Sequence, residues 1–203
     1  MIAVIDYNSG NIKSVMNALN RLGARATLTN DVKVIKSADR VIFPGVGAAA
    51  AAMEELKKRD LVDTLKEYER PFLGICLGMQ LMNSFSEEGN VDLLKITDNK
   101  VKLFDKSYGD KIPHVGWNEV LLNSDPIFNS LKESEYFYFV HSYYVQASSN
   151  TIARCSYAGI EFSAGIKKDN FYGFQFHPEK SGEIGEKLLK NFVEVKLWEL
   201  YQL

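Results

Sequence analysis

Cysteine, histidine, proline and net charge are all scarce in this chain, and each shortage removes a class of function. Two cysteines, Cys76 and Cys155, in 203 residues form no disulfide framework, which points to a reducing, cytoplasmic setting. Lys and Arg number 24 against 26 Asp and Glu, a net charge of −2, so there is no basic excess to hold nucleic acid or an anionic membrane surface. No apolar run approaches the roughly 18 residues that a membrane span requires. The opening Met1-Ile2-Ala3-Val4-Ile5-Asp6 lacks the basic flank and the length of a signal peptide and reads as a first strand. No Pro/Ser-rich linker divides the chain and no cofactor motif is present. With 46% hydrophobic and 25% charged residues, the expectation is one domain over residues 1–203 with a full core.

What is present is organised as alternating strand and helix in the first 85 residues. Ile2–Ile5 is followed by a turn at Tyr7-Asn8-Ser9-Gly10-Asn11. Ile12, Val15, Met16, Leu19 and Leu22 recur at helical spacing, closed by Gly23. Strands are expected at Arg25–Thr29, Arg40–Phe43 and Phe72–Ile75. A helical stretch runs from Ala48 towards Tyr68 with a break near Arg59–Asp60, and another is expected over Met79–Phe85. The second half is rich in short β-branched and aromatic runs: Lys100–Phe104, Trp117–Leu121, Tyr136–Val140, Thr151–Tyr157, Phe162–Lys167 and Phe171–Phe176. A last helix begins near Ser181-Gly182-Glu183, with Ile184, Leu188, Phe192 and Val195 on one face. The fold class is therefore α/β: a mixed, mostly parallel central sheet with helices on both faces and a β-rich second half.

The chemistry concentrates in Gly74-Ile75-Cys76-Leu77-Gly78. A buried strand delivers a cysteine into a corner between two glycines, where the side chain is pushed out of the sheet beside the first free amides of a helix. Such a corner is a nucleophile elbow with cysteine in place of serine; the amides favour thiolate and hold an oxyanion. A nucleophilic cysteine needs a base and the base an orienter. His177 and Glu179, in Phe176-His177-Pro178-Glu179, stand two apart at a strand end and share a side if the segment is extended. Pro44-Gly45-Val46-Gly47 closes another parallel strand, where ligand loops gather, and can supply a second oxyanion donor beside Leu77. The plainer alternatives are a core cysteine and a satisfied polar histidine; Cys155, with no glycine corner, keeps the core reading. A metal site is disfavoured, because no fourth ligand accompanies Cys76, His177 and Glu179.

Together these residues resemble the class I (triad) glutamine amidotransferases, whose Gly-x-Cys-x-Gly elbow and later His-Pro-Glu are both met here in order. Asp6-Tyr7-Asn8-Ser9-Gly10-Asn11, Pro113-His114-Val115-Gly116-Trp117-Asn118, Tyr136 to Tyr143 and His177-Pro178-Glu179-Lys180-Ser181 extend the similarity over nearly the whole chain. They narrow it to the glutaminases that serve histidine biosynthesis. The resemblance implies hydrolysis of L-glutamine to glutamate and ammonia through a cysteine thioester, without a cofactor. The ammonia then passes to a (β/α)8-barrel synthase subunit, in a heterodimer, that makes imidazole glycerol phosphate and AICAR. It assigns Cys76, His177 and Glu179 to catalysis and Val46, Gly47 and Leu77 to the oxyanion hole. Gly45, Gln80, Glu88, His141, Ser142 and Tyr143 fall to substrate binding, and Asn11, Trp117, Tyr138 and Lys180 to the partner face and ammonia exit.

Two features depart from the family pattern. The five alanines Ala48–Ala52 replace bulkier residues, and the tail Leu197-Trp198-Glu199-Leu200-Tyr201-Gln202-Leu203 is more apolar than a solvated end, as if it packed on the sheet or a partner. The rival functions are a paralogous glutaminase feeding another synthase, such as a sugar-modifying enzyme of surface-polysaccharide synthesis, and an inert regulatory subunit.

Overall fold

The computed structural model describes residues 1–7, 11–105, 107 and 109–195; the turn residues Asn8–Gly10 and the apolar tail lie outside them. The chain alternates at first: β1 (Ile2–Ile5), α1 (Ile12–Arg21), β2 (Ala26–Thr29), α2 (Val32–Ser37), β3 (Arg40–Gly45), α3 (Ala49–Lys58), α4 (Val62–Lys66), β4 (Phe72–Cys76) and α5 (Leu77–Leu81). Short strands β5 (Phe85–Ser86) and β6 (Val91–Asp92) follow, then β7 (Lys100–Leu103), β8 (His114–Leu122), β9 (Ser134–His141), β10 (Tyr143–Gln146), β11 (Thr151–Tyr157), β12 (Ile160–Lys168) and β13 (Phe171–Phe174). Helix α6 (Gly182–Glu194) closes the described chain.

All the strands join one mixed sheet, ordered β2-β1-β3-β4-β13-β12-β10-β7-β5-β6, with β11, β8 and β9 branching from β12. From β2 to β13 the neighbours are parallel. The centre of this block is covered on both sides, which is why β4 is buried along its whole length. Alternate residues of each central strand feed opposite cores. Val4, Ile42, Leu73 and Ile75 pack with α1 and α6, whereas Ile5, Val41, Phe43 and Phe72 pack with α2, α3 and α4. Parallel strands return through helices, so their carboxyl ends collect on one edge, and the loops there carry the candidate site.

Three local expectations are corrected. The helix expected over Met79–Phe85 stops at Leu81, and Phe85 is a strand residue. The buried Asn83 ends it: its Nδ2 donates to the carbonyls of Met79 (2.9 Å) and Gln80 (3.0 Å), while Thr97 Oγ1 donates to its Oδ1 (2.8 Å). Strand β13 ends at Phe174 rather than Phe176. The chain then leaves the sheet, and the His177 amide donates to the Tyr138 carbonyl of β9 (2.9 Å). Finally, Pro178–Lys180 forms a single 3-10 turn, so His177 and Glu179 do not lie on one extended segment; proline at the first position pre-sets φ for the turn.

Candidate active site

Cys76 ends β4 in direct register with Gly45 of β3. Its backbone sits at φ 54°, ψ −111°, a region that glycine tolerates and other residues occupy under strain. The chain tolerates this corner because its neighbours are bare. A Cβ on Gly78 would stand 1.8 Å from the Phe43 carbonyl oxygen, and one on Gly74 would stand 2.8 Å from the Gly78 carbonyl. The two glycines let β4 and α5 fold back tightly, which holds the sulfur at the sheet's edge.

His177 and Glu179 meet across the 3-10 turn. His177 Nδ1 donates to Glu179 Oε1 at 2.8 Å, and both side chains are fully buried. Asn11 Nδ2 donates to the same carboxylate oxygen. Its 3.4 Å approach to His177 Nδ1 is therefore two donors converging on one acceptor. Ser181 fixes the backbone: its Oγ donates to the His177 carbonyl (2.7 Å) and accepts from the Tyr138 amide (3.0 Å). Burial pushes the His177 pKa down. The Cys76 sulfur and the Glu179 carboxylate together outweigh it and raise the value to about 9. His177 Nε2 is buried and makes no well-formed hydrogen bond among the described residues. Its contact with the sulfur, which raises it by hydrogen bond and by charge, is thus loosely aligned, and catalytic bonds of this kind tighten when substrate arrives.

Beside the sulfur is a cavity of about 270 Å³, walled by Val46, Gly47, Cys76, Leu77, Gln80, Glu88, Pro113, Val140, His141, Ser142 and Tyr143. Of the residues expected to bind substrate, Gly45 alone lies off this wall. It packs under the loop, where an added Cβ would meet the Tyr7 hydroxyl and Leu77. Glu88 Oε2 accepts from the Ala49 amide at 2.8 Å, which ties it to the first residue of α3, directly after the Val46–Gly47 loop. Burial raises the Glu88 pKa against that bond. The alanine run has a role here: a Cβ on Gly89 would stand 2.8 Å from Ala50 Cβ, so small residues admit the segment that carries Glu88.

Two features went unrecognised in the sequence. The first is Gln175, fully buried, with Nε2 at 3.6 Å from Cys76 Sγ and Oε1 accepting from Gln80 Nε2 at 2.9 Å. A polar residue inside the apolar run Gly173-Phe174-Gln175-Phe176 was the available signal. The second is His114, whose Nδ1 lies 3.0 Å from His141 Nε2, while His141 Nδ1 lies 2.8 Å from the Tyr143 carbonyl. Cys155 is buried, with its thiol pushed up to about 12 by burial, and is an inert core residue.

The residues expected at a partner face fall into two groups. Trp117 of β8, Tyr138 of β9 and Lys180 of the 3-10 turn form a row: the Trp117 and Tyr138 rings are 6.2 Å apart edge to face, and Lys180 Nζ is 6.0 Å from the Tyr138 centroid. Val115, Trp117 and Tyr136 are each more than half exposed, at 56%, 55% and 57%, so Trp117 does not fill the core. Asn11 turns inward instead. It caps α1 without a side-chain cap bond and gives its amide to Glu179.

The sequence profile of class I glutamine amidotransferases matches residues 3–195. The imidazole glycerol phosphate synthase subunit HisH of Bacteroides fragilis is 53% identical over 96% of this chain and 99% of its own length. The HisH of Haemophilus influenzae is 48% identical over 95% and 96%. Among solved structures, a glutamine amidotransferase of Thermotoga maritima superposes with a TM-score of 0.67 at 16% identity, covering 99% of this chain and 98% of that one. Another glutamine amidotransferase reaches 0.74 at 15%, covering 96% and 98%; these two speak for the fold. A cysteine on a strained elbow, a buried His–Glu pair behind it and a small cavity before it are thus carried by a chain that belongs to the class I glutamine amidotransferase family.

Proposed function

We propose that this chain hydrolyses L-glutamine at Cys76 and delivers the ammonia to the synthase subunit that forms imidazole glycerol phosphate in histidine biosynthesis. The observation that carries the reading is the meeting at one strand edge of the Cys76 sulfur, the His177–Glu179 pair and a cavity sized for an amino acid. Near-full-length similarity to HisH subunits selects the histidine pathway over a paralogous acceptor, and the intact Cys–His–Glu set speaks against an inert subunit.

The geometry supports the following sequence. His177, raised to about 9, takes the proton of the sulfur and becomes imidazolium. The sulfur attacks the side-chain amide carbon, and the carbonyl electrons move to oxygen. The Leu77 amide, at the start of α5, and the Val46–Gly47 loop face that oxygen. His177 gives its proton to the amide nitrogen, the C–N bond breaks, ammonia leaves and a glutamyl thioester remains. Water then gives a proton to His177 and adds to the thioester, and the thiolate departs. Glu88 and the Ser142–Tyr143 backbone, across the cavity, receive the α-ammonium and α-carboxylate ends.

Gly47 sits at φ 111°, a conformation that L side chains rarely adopt, so this position of the oxyanion loop calls for glycine. Each oxyanion donor contributes about 3–4 kcal/mol, enough for loop orientation to switch turnover. The partner, a (β/α)8 barrel, docks on the exposed Trp117–Tyr138–Lys180 row and turns the loop into its donating state. The test is a coupled assay with that synthase, supplied with glutamine or with ammonium salt. Cys76→Ala is expected to abolish only the glutamine-dependent reaction, and turnover without partner is expected to be slow. Full glutamine-dependent activity in Cys76→Ala would overturn the assignment.

A further inference from the structure

The bonds around Gln175 determine which way its amide faces. The Tyr143 carbonyl can only accept, and two nitrogens converge on it, Gln80 Nε2 at 2.9 Å and His141 Nδ1 at 2.8 Å. Both therefore carry the hydrogens. The same Gln80 Nε2 spends its second hydrogen on Gln175 Oε1 at 2.9 Å. That leaves the Gln175 nitrogen facing Cys76 Sγ at 3.6 Å. The arrangement is braced from behind: with Nδ1 a donor, the neutral His141 Nε2 accepts from His114 Nδ1 at 3.0 Å, and His114 Nε2 lies 3.3 Å from the Asn118 amide nitrogen. An amide orientation that is usually ambiguous is here dictated by an acceptor with no alternative.

We propose that Gln175 is a further catalytic residue, whose side-chain N–H holds the Cys76 sulfur as a thiolate in an orientation imposed by Gln80 and the Tyr143 carbonyl. This rests on the reading of Cys76 as the nucleophile. Apart from His177, the sulfur also meets the Val140 carbonyl at 3.9 Å among the described residues, which can partner only the S–H form. The two contacts therefore oppose each other: Gln175 favours the ion and Val140 the neutral thiol. A donor to a charged acceptor is about twice as strong as a neutral pair, so Gln175 prevails once the proton has gone to His177. Around the sulfur the ionisable side chains are His177 with Glu179 behind it, His141 kept neutral by burial, and Glu88 across the cavity. None of these offers a donor in the place that Gln175 fills.

The test is the rate at which iodoacetamide alkylates Cys76 near neutral pH in the full chain, with the modified peptide located by mass spectrometry. The sulfur displaces iodide only as thiolate, and glutamine is not needed. Gln175→Met, of similar length without the donor, is expected to react about 10- to 100-fold more slowly, the range of one hydrogen bond to a charged group. Gln175→Glu keeps the shape and the bond from Gln80 but sets an acceptor against the sulfur. It is expected to be slower still, and it decides the matter should Gln175→Met fail to fold. Gln80→Met, which frees the Gln175 amide to rotate, is expected to show a smaller loss. Alkylation at the wild-type rate in a folded Gln175 variant would overturn the proposal while leaving the glutaminase reading intact, which the Cys76→Ala assay tests separately.

Discussion

Replacing Glu179 by glutamine separates charge from shape at the base. Nδ1 of His177 and Nδ2 of Asn11 both donate to Glu179 Oε1, and a glutamine carbonyl oxygen in that place accepts the same two bonds, so the imidazole keeps its tautomer. What is lost is the negative charge beside the imidazolium. A hydrogen bond to a charged group contributes about 1.5–3 kcal/mol against about 1 for a neutral one, a difference of about 0.5–2 kcal/mol. At about 1.4 kcal/mol per decade, Glu179→Gln should lower kcat by roughly 2- to 30-fold and bring the His177 midpoint down from about 9 by about one unit. The glutamine NH2 would occupy the place of Oε2, which is buried without a partner among the described residues, and an unmet donor there costs a further ~1–3 kcal/mol of stability. The sign of the linkage is fixed: the folded His177 value lies above the ordinary 6.5. The pair's contribution to stability is thus complete below 6.5 and is lost as pH rises through about 9. Glu179→Gln should shorten that window from its alkaline side. The assay is an NMR titration of the His177 ring beside thermal unfolding across the same pH range. A wild-type midpoint at or below 6.5, or an unchanged midpoint in Glu179→Gln, would refute the reasoning.

Three further outcomes follow from the same contacts. Gly78→Ala would place its Cβ 1.8 Å from the Phe43 oxygen; since overpacking costs about 1–3 kcal/mol or more, thermal unfolding should drop by several degrees and turnover should fall with the displaced sulfur. His114 and His141, pushed down to about 4 and about 3 by burial, should show neutral-imidazole NMR shifts at pH 5. Because the unfolded chain takes up these protons and the folded one does not, stability should fall as pH drops below about 6.5, by up to about 1.4 kcal/mol per unit for each ring. His114→Phe should flatten part of that slope. Trp117→Ala, which removes an exposed ring, should weaken association with the proposed synthase partner by roughly 30-fold or more, as an aromatic hot spot does. It should leave the unfolding temperature little changed, as measured by calorimetry of the mixed and single subunits.

The sheet, the elbow and the base were legible because each left a local signature. Buried parallel strands read as unbroken apolar runs, as at Val41–Phe43 and Phe72–Ile75, and glycines flank a corner that nothing larger could occupy. Strand β11 was found at its true limits, Thr151–Tyr157, because turn residues bound it. Helix α2 was missed although Asp31 caps it, its side chain accepting from the Lys33 amide at 2.7 Å; six residues give too few repeats for a helical period to show. Strand β10 was missed because Tyr143-Tyr144-Val145-Gln146 does not alternate clearly. The early end of α5 depended on Asn83 meeting Thr97, a contact between segments that no local pattern reveals. The same applies to the site. Cys76 and His177 stood out by motif; Gln175 left only the faint signal of a polar residue in an apolar run, and the roles of His114 and Asn11 emerge only when segments distant in sequence are brought side by side.

The most direct measurement is to quench the protein with its synthase partner during glutamine turnover and locate any acyl group by peptide mass spectrometry. The account predicts a glutamyl group on the Cys76 peptide alone, absent from Cys155 and lost in Cys76→Ala. Sustained turnover with no acyl group on Cys76, or with one on another residue, would contradict it.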